Sequence, residues 1–112
     1  MKTVSEHIRS RLLDPLARLR QTQWSDEFEQ YMRNRLIMGS FRYGLLGAPG
    51  KPQYDRVSYA RRCLDSYKKT GNLECLVDAA NLALVEFVEG EHPKKHFRSD
   101  DDGEHAEVVD AP

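Results

Sequence analysis

The stretch Gly71-Asn72-Leu73-Glu74-Cys75-Leu76-Val77-Asp78-Ala79-Ala80-Asn81-Leu82-Ala83-Leu84-Val85-Glu86-Phe87 decides the fold class. Asn72 suits a helix start, because its side-chain oxygen can accept from one of the backbone N–H groups that a helix leaves unpaired there. Gly71 lets the chain turn ahead of it. Leu73, Leu76, Val77, Ala80, Leu84, Phe87 and Val88 then recur at the helical period of about 3.6 residues. They predict one buried stripe. At about 100° per residue, Glu74, Asp78, Asn81 and Val85 fall on a narrow neighbouring stripe. That second stripe is either a polar seam beside the core or a site.

Working back toward the N-terminus, Thr70-Gly71-Asn72 is a turn, and before it Asp55 starts another helix. In that helix Val57, Tyr59, Ala60, Cys63, Leu64 and Tyr67 supply the buried side, and Arg61, Arg62, Lys68 and Lys69 the wet one. Gly47-Ala48-Pro49-Gly50-Lys51-Pro52 is a loop, since two glycines and two prolines continue neither regular element. It lacks the full pattern of a phosphate-binding loop. Ser25, followed by Asp26 and Glu27, caps a helix that runs to Tyr43 before Gly44. Ser5 caps a first helix in which Ile8, Leu12, Leu13, Leu16 and Leu19 repeat, with Pro15 expected to end or kink it. No alternating run signals a strand. The expectation is an all-α, compact four-helix bundle-like domain over residues 1–90, with a mobile acidic tail over 91–112. His96 and Phe97 are expected to pack back on the bundle.

With 112 residues, 39% hydrophobic and 31% charged, the chain suits one domain with a modest core. No apolar run approaches the roughly 20 residues that span a bilayer, and the N-terminus has no apolar signal segment, so a cytoplasmic protein without a membrane partner is expected. The two cysteines, Cys63 and Cys75, sit apart within helical patterns and are expected as reduced packing residues. The net charge of −1 conceals a basic N-terminal segment and an acidic end. No stacking platform or DNA-binding signature accompanies the basic segment, which argues against a nucleic-acid partner.

Three groups of residues can carry chemistry. Glu74, Asp78 and Asn81, at i, i+4 and i+7, direct three oxygen-bearing side chains to one side of a helix, a geometry suited to Mg²⁺ or to internal pairing. Arg35 and Arg42 lie two turns apart, on nearly the same side as Phe28, Tyr31 and Met38. They can clamp a phosphate or close ion pairs with Glu74 and Asp78, and Gly39 between them would let a ligand or backbone approach. His92, His96 and His105 have weak ligand spacing, interrupted by Pro93 and without a His-Glu-x-x-His pattern. His7 is expected on an exposed helical face.

The order Arg35-x2-Met38-Gly39-x2-Arg42-Tyr43-Gly44, a basic helix, then Thr70-Gly71-Asn72-x-Glu74-x3-Asp78-x2-Asn81 resembles small helical proteins of phages and integrated mobile elements. More distantly, residues 26–89 resemble the MazG-like all-α nucleoside triphosphate pyrophosphohydrolases. That family holds Mg²⁺ on carboxylates of adjacent helices and hydrolyses the α–β phosphate linkage. The resemblance implies metal binding by Glu74 and Asp78 with Glu27 or Glu29, and phosphate contacts by Arg35 and Arg42. Three functions are therefore expected, in this order: a phage-type interaction module with a protein partner, a Mg²⁺-dependent nucleotide pyrophosphohydrolase, and a nucleotide-sequestering binder. Short helices in so small a chain also leave apolar stripes for a homo-oligomer, a homodimer being the simplest.

Overall fold

The computed structural model describes residues 15–99, and in them the chain is all-α. The described part of helix α1 covers residues 15–22, and α2 covers Asp26–Tyr43, α3 Arg56–Thr70 and α4 Glu74–Glu89. Pro15 is the first described residue and is helical; the expected end or kink there involves residues outside the described part. Ser5, Ile8, Leu12, Leu13 and His7 lie outside the described residues.

The other helix ends have local causes. Ser25 Oγ accepts from the Phe28 N–H at 3.0 Å, and Asp26, Glu27 and Glu29 set negative charge at the positive end of the α2 dipole. The Asp55 carboxylate accepts from the Ser58 N–H at 3.1 Å to cap α3, and this bond holds its carboxyl below the usual aspartate range. Gly71 closes α3 in the left-handed region, at φ 71°, and its N–H donates to the Tyr67 carbonyl at 2.8 Å. Asn72 Oδ1 then accepts from the Glu74 N–H at 3.1 Å, so the expected asparagine does open α4, although Leu73 is the residue adjoining the helix.

Helix α4 is the hub, packing against α3 along one flank and α2 along another, while α2 and α3 have no packed contact with each other. Both pairs are antiparallel. Asn81 meets Met32 while Glu74 and Asp78 meet Arg35, and Glu86 meets Arg56 while Cys75 meets Ser66. Among the described residues the buried side chains are Val77 and Ala79 of α4, Cys63 of α3, and the polar Arg56 and Asn81. Burial pushes the Cys63 thiol up in pKa, and both cysteines are free thiols, as expected.

The expected buried stripe of α4 is corrected at both ends, since Leu73 is 67% and Phe87 70% exposed. Leu76, Ala80 and Leu84 between them are half-buried. The cause is the choice of flank: α2 takes the side carrying Glu74, Asp78 and Asn81, and α3 takes the side carrying Cys75, Ala79 and Glu86. On α3, Val57, Tyr59 and Leu64 are likewise about half exposed, and only Cys63 of the expected core set is buried. Tyr31, Ile37, Met38 and Phe41 of α2 also face solvent. Residues 91–99 form no helix, and Phe97 is exposed instead of packing back. The remainder of the expected tail, residues 100–112 with His105, lies outside the described residues.

Candidate functional site

Arg35, near the middle of α2, reaches across to the first turns of α4. Its Nη2 lies 3.0 Å from Glu74 Oε1, and its Nε donates to Asp78 Oδ1 at 3.2 Å. Glu74 and Asp78 are one helical turn apart, so both can present an oxygen to one guanidinium. The hydrogen bond and attraction of Asp78, with that of Glu74, raise the Arg35 pKa further above its ordinary range. Two acids facing one arginine leave the trio with a net negative charge. A phosphate approaching Arg35 therefore meets two carboxylates that already occupy the donors on this side of its fork.

Asn81 lies one turn further along α4 and is 8% exposed. Its Nδ2 donates to the Met32 carbonyl of α2 at 3.0 Å, while its buried Oδ1 has no hydrogen-bond partner. Glu74, Asp78 and Asn81 all turn toward α2, the first two to a side chain and the third to backbone.

The remaining expected site residues lie elsewhere. Glu27 and Glu29 precede Arg35 by eight and six residues, about 12 and 9 Å along the α2 axis, on the end away from Glu74. Glu29 pairs instead with Arg33, at 3.5 Å. Arg42 makes no ion pair among the described residues and lies 5.9 Å from the centre of the neighbouring Tyr43 ring. A Cβ added at Gly39 would meet only a Tyr43 ring carbon at 3.9 Å, so no backbone uses the gap. His92 Nδ1 accepts from the Lys94 N–H, and His96 Nδ1 contacts the Lys94 carbonyl. Among the described residues no three His, Cys, Asp or Glu side chains gather as a metal-ligand set.

A second charged cluster has no counterpart in the sequence reading. Lys51 Nζ sits 2.8 Å from Glu89 and donates to the Leu45 carbonyl at 2.8 Å. Arg56 Nη1 donates to Glu86 Oε1 at 3.0 Å, and its Nη2 lies 3.9 Å from Glu89 Oε1. Two cations and two anions thus tie the loop and the start of α3 to the end of α4. The Lys51 bond holds the Glu89 carboxyl below the usual glutamate range, aided by the Gly47 N–H. The only local signals were the i, i+3 pair Glu86 and Glu89 and an arginine directly after a cap residue, and neither specifies a partner 30 or more residues away. A shallow depression beside this cluster, lined by Gly47, Pro49, Gly50 and Gln53, offers no free donor set because Lys51 and Glu89 on its wall are joined.

Comparison with protein-family models, curated proteins and solved structures gives no match. Among the described residues no helix is long and apolar enough to cross a membrane.

The Arg35 bridge makes a direct prediction. Its side chain is 44% exposed and that of Asp78 27%, so water screens the pair. A double-mutant cycle of Arg35→Ala and Asp78→Ala, read by urea unfolding, is expected to give a coupling of about 0.5–1 kcal/mol. A coupling near zero would show that the bridge holds nothing in solution.

Proposed function

We propose that this chain is a small helical protein-interaction module of the phage or mobile-element type that acts by docking in the cytoplasm and not by catalysis. The observation that supports this reading is the apolar face of α4 that the described residues leave open between its two neighbours. A contiguous apolar stripe of this kind marks a surface that another element or molecule covers. The engagement of Arg35 with Glu74 and Asp78, and the distance of Glu27 and Glu29 from that pair, support the same reading. Pyrophosphate hydrolysis needs several carboxylates converging on the metal and cations free to meet the phosphates.

The test is thermal unfolding of the purified chain with a panel of nucleoside triphosphates and cyclic nucleotides, each with and without Mg²⁺ or Mn²⁺. A ligand that binds only the folded state raises the melting temperature. No shift is expected. A shift that requires both nucleotide and metal would replace this reading with the pyrophosphohydrolase, and one that requires nucleotide alone would replace it with the sequestering binder.

A further inference from the structure

We infer that the open face of α4 pairs with the same face of a second copy, antiparallel, about a two-fold axis passing beside Ala80. This inference names the partner of the interaction module and rests on that reading. Leu73, Leu76, Ala80, Ala83 and Phe87 follow a three-four spacing along one side of the helix, the seam that a paired helix requires.

The seam is symmetric about its centre. Leu73 and Phe87 lie seven residues on either side of Ala80, and Leu76 and Leu84 four. An antiparallel partner therefore sets Leu73 against the partner's Phe87 and Leu76 against the partner's Leu84. Alanine stands opposite alanine at the crossing, where small side chains let helix axes approach closely. An isologous interface demands this kind of self-complementarity.

Charge and area agree with the pairing. Every carboxylate of α4 is held on another side of the helix, Glu74 and Asp78 by Arg35, and Glu86 and Glu89 by Arg56 and Lys51. Covering the open face leaves none of them stranded. With Cys63 and Arg56 of α3 turned to α4, Tyr59 falls on the flank toward α2 and Val57 and Leu64 about 100° round the helix on the opposite flank, beside the open face. Leu73, Phe87, Val57 and Leu64 are about half to two-thirds exposed. At on the order of 150 Å² per large side chain, they and the half-buried Leu76 and Leu84 offer roughly 400 Å² of apolar surface per copy. Homodimer interfaces are about 65% apolar, so the whole footprint comes to roughly 600 Å² per copy, or about 1,200 Å² in total, the lower edge of a standard specific interface.

Sedimentation equilibrium of the full chain over a micromolar concentration series tests the pairing. The mass is expected to rise from 12.9 kDa toward twice that value. Ala80→Glu, which places two carboxylates at the axis, is expected to weaken association at least 100-fold with helicity retained. Orientation is read on a Cys75→Ser background, with the buried Cys63 kept. Leu73→Cys and Phe87→Cys proteins are mixed and oxidised, and the disulfide is expected between the two variants and not within either alone. These two positions are exposed, so the substitutions leave each chain's own packing intact. A chain that stays monomeric, a dimer indifferent to Ala80→Glu, or variants that link only to themselves would each overturn the inference. A monomer that also ignores nucleotides would leave the interaction module standing with a different partner.

Discussion

Arg56→Ala is expected to destabilise the fold by about 3 kcal/mol, the scale seen when one member of a buried ion pair is removed. The Arg56 side chain is 5% exposed, with one carboxylate at 3.0 Å and another at 3.9 Å. Alanine leaves Glu86 and Glu89 facing a space their partner filled, and it also removes the aliphatic stem that packs there. For a domain of this size such a loss is a large share of the total stability. Urea unfolding at fixed protein concentration measures it, with Arg61→Ala, an exposed arginine on the same helix, as the control. Equal losses in the two variants would sink the claim. Arg56→Met combined with Glu86→Gln is expected to recover much of the loss, because it removes charge from both sides of the pair.

The same cluster sets an acid limit. The Glu89 carboxyl is held below its ordinary range in the folded chain, first by the Lys51 hydrogen bond. Its contribution is therefore fully present above the unfolded value of about 4.3 and is lost as pH falls through the lower folded value. Melting temperature should fall as pH drops below about 4.3, and Glu89→Gln should flatten that part of the profile.

Asn81→Asp is expected to cost a similar amount, about 3 kcal/mol at neutral pH, since it buries a carboxylate without a cation beside it. The substitution replaces the Nδ2 donor, 3.0 Å from the Met32 carbonyl, with a second acceptor. Burial raises the folded pKa of the new acid above its unfolded value of about 3.9, so the loss is greatest above the folded value and shrinks as pH falls. Near pH 4 the protonated acid can donate to Met32, and the variant should approach wild-type stability. Asn81→Ala removes the bond without adding charge and is expected to cost about 1 kcal/mol at every pH. If the aspartate variant showed the same flat profile, Asn81 would not occupy a dry contact between α2 and α4.

The helix ends were legible because their causes are local. Ser25, Asp55 and Gly71 act on backbone groups within four residues, so composition at those positions is sufficient evidence. The link from Arg35 to Glu74 or Asp78 was also within reach, since the acids share a stripe and a cation was needed opposite it. Arg42 was not separable from Arg35 on period alone, and only the end of the α2–α4 contact decides which of them finds the acids. The α4 stripe shows a different limit. Its periodicity states that these residues avoid water, and says nothing of whether the cover is α2, α3 or another molecule. Arg56 was illegible because a buried cation looks local only after its distant carboxylates are placed.

The hub arrangement of α4 has a consequence for how the molecule opens. Helices α2 and α3 pack on α4 and not on each other, linked only at their edges by the Tyr43–Tyr54 ring contact and by the charge interaction of Arg35 with Tyr59, so α2 can detach while the α3–α4 packing is kept. The α3–α4 hairpin closes through the short Gly71–Leu73 turn, so its contacts are local in sequence, whereas α2 must return across the Gly44–Asp55 segment to reach α4. The hairpin is the natural first unit of assembly, and α2 the last to dock and the first to leave. Amide protons of α2 should therefore exchange through a partial opening that spares α3 and α4, giving the molecule two tiers of protection instead of one.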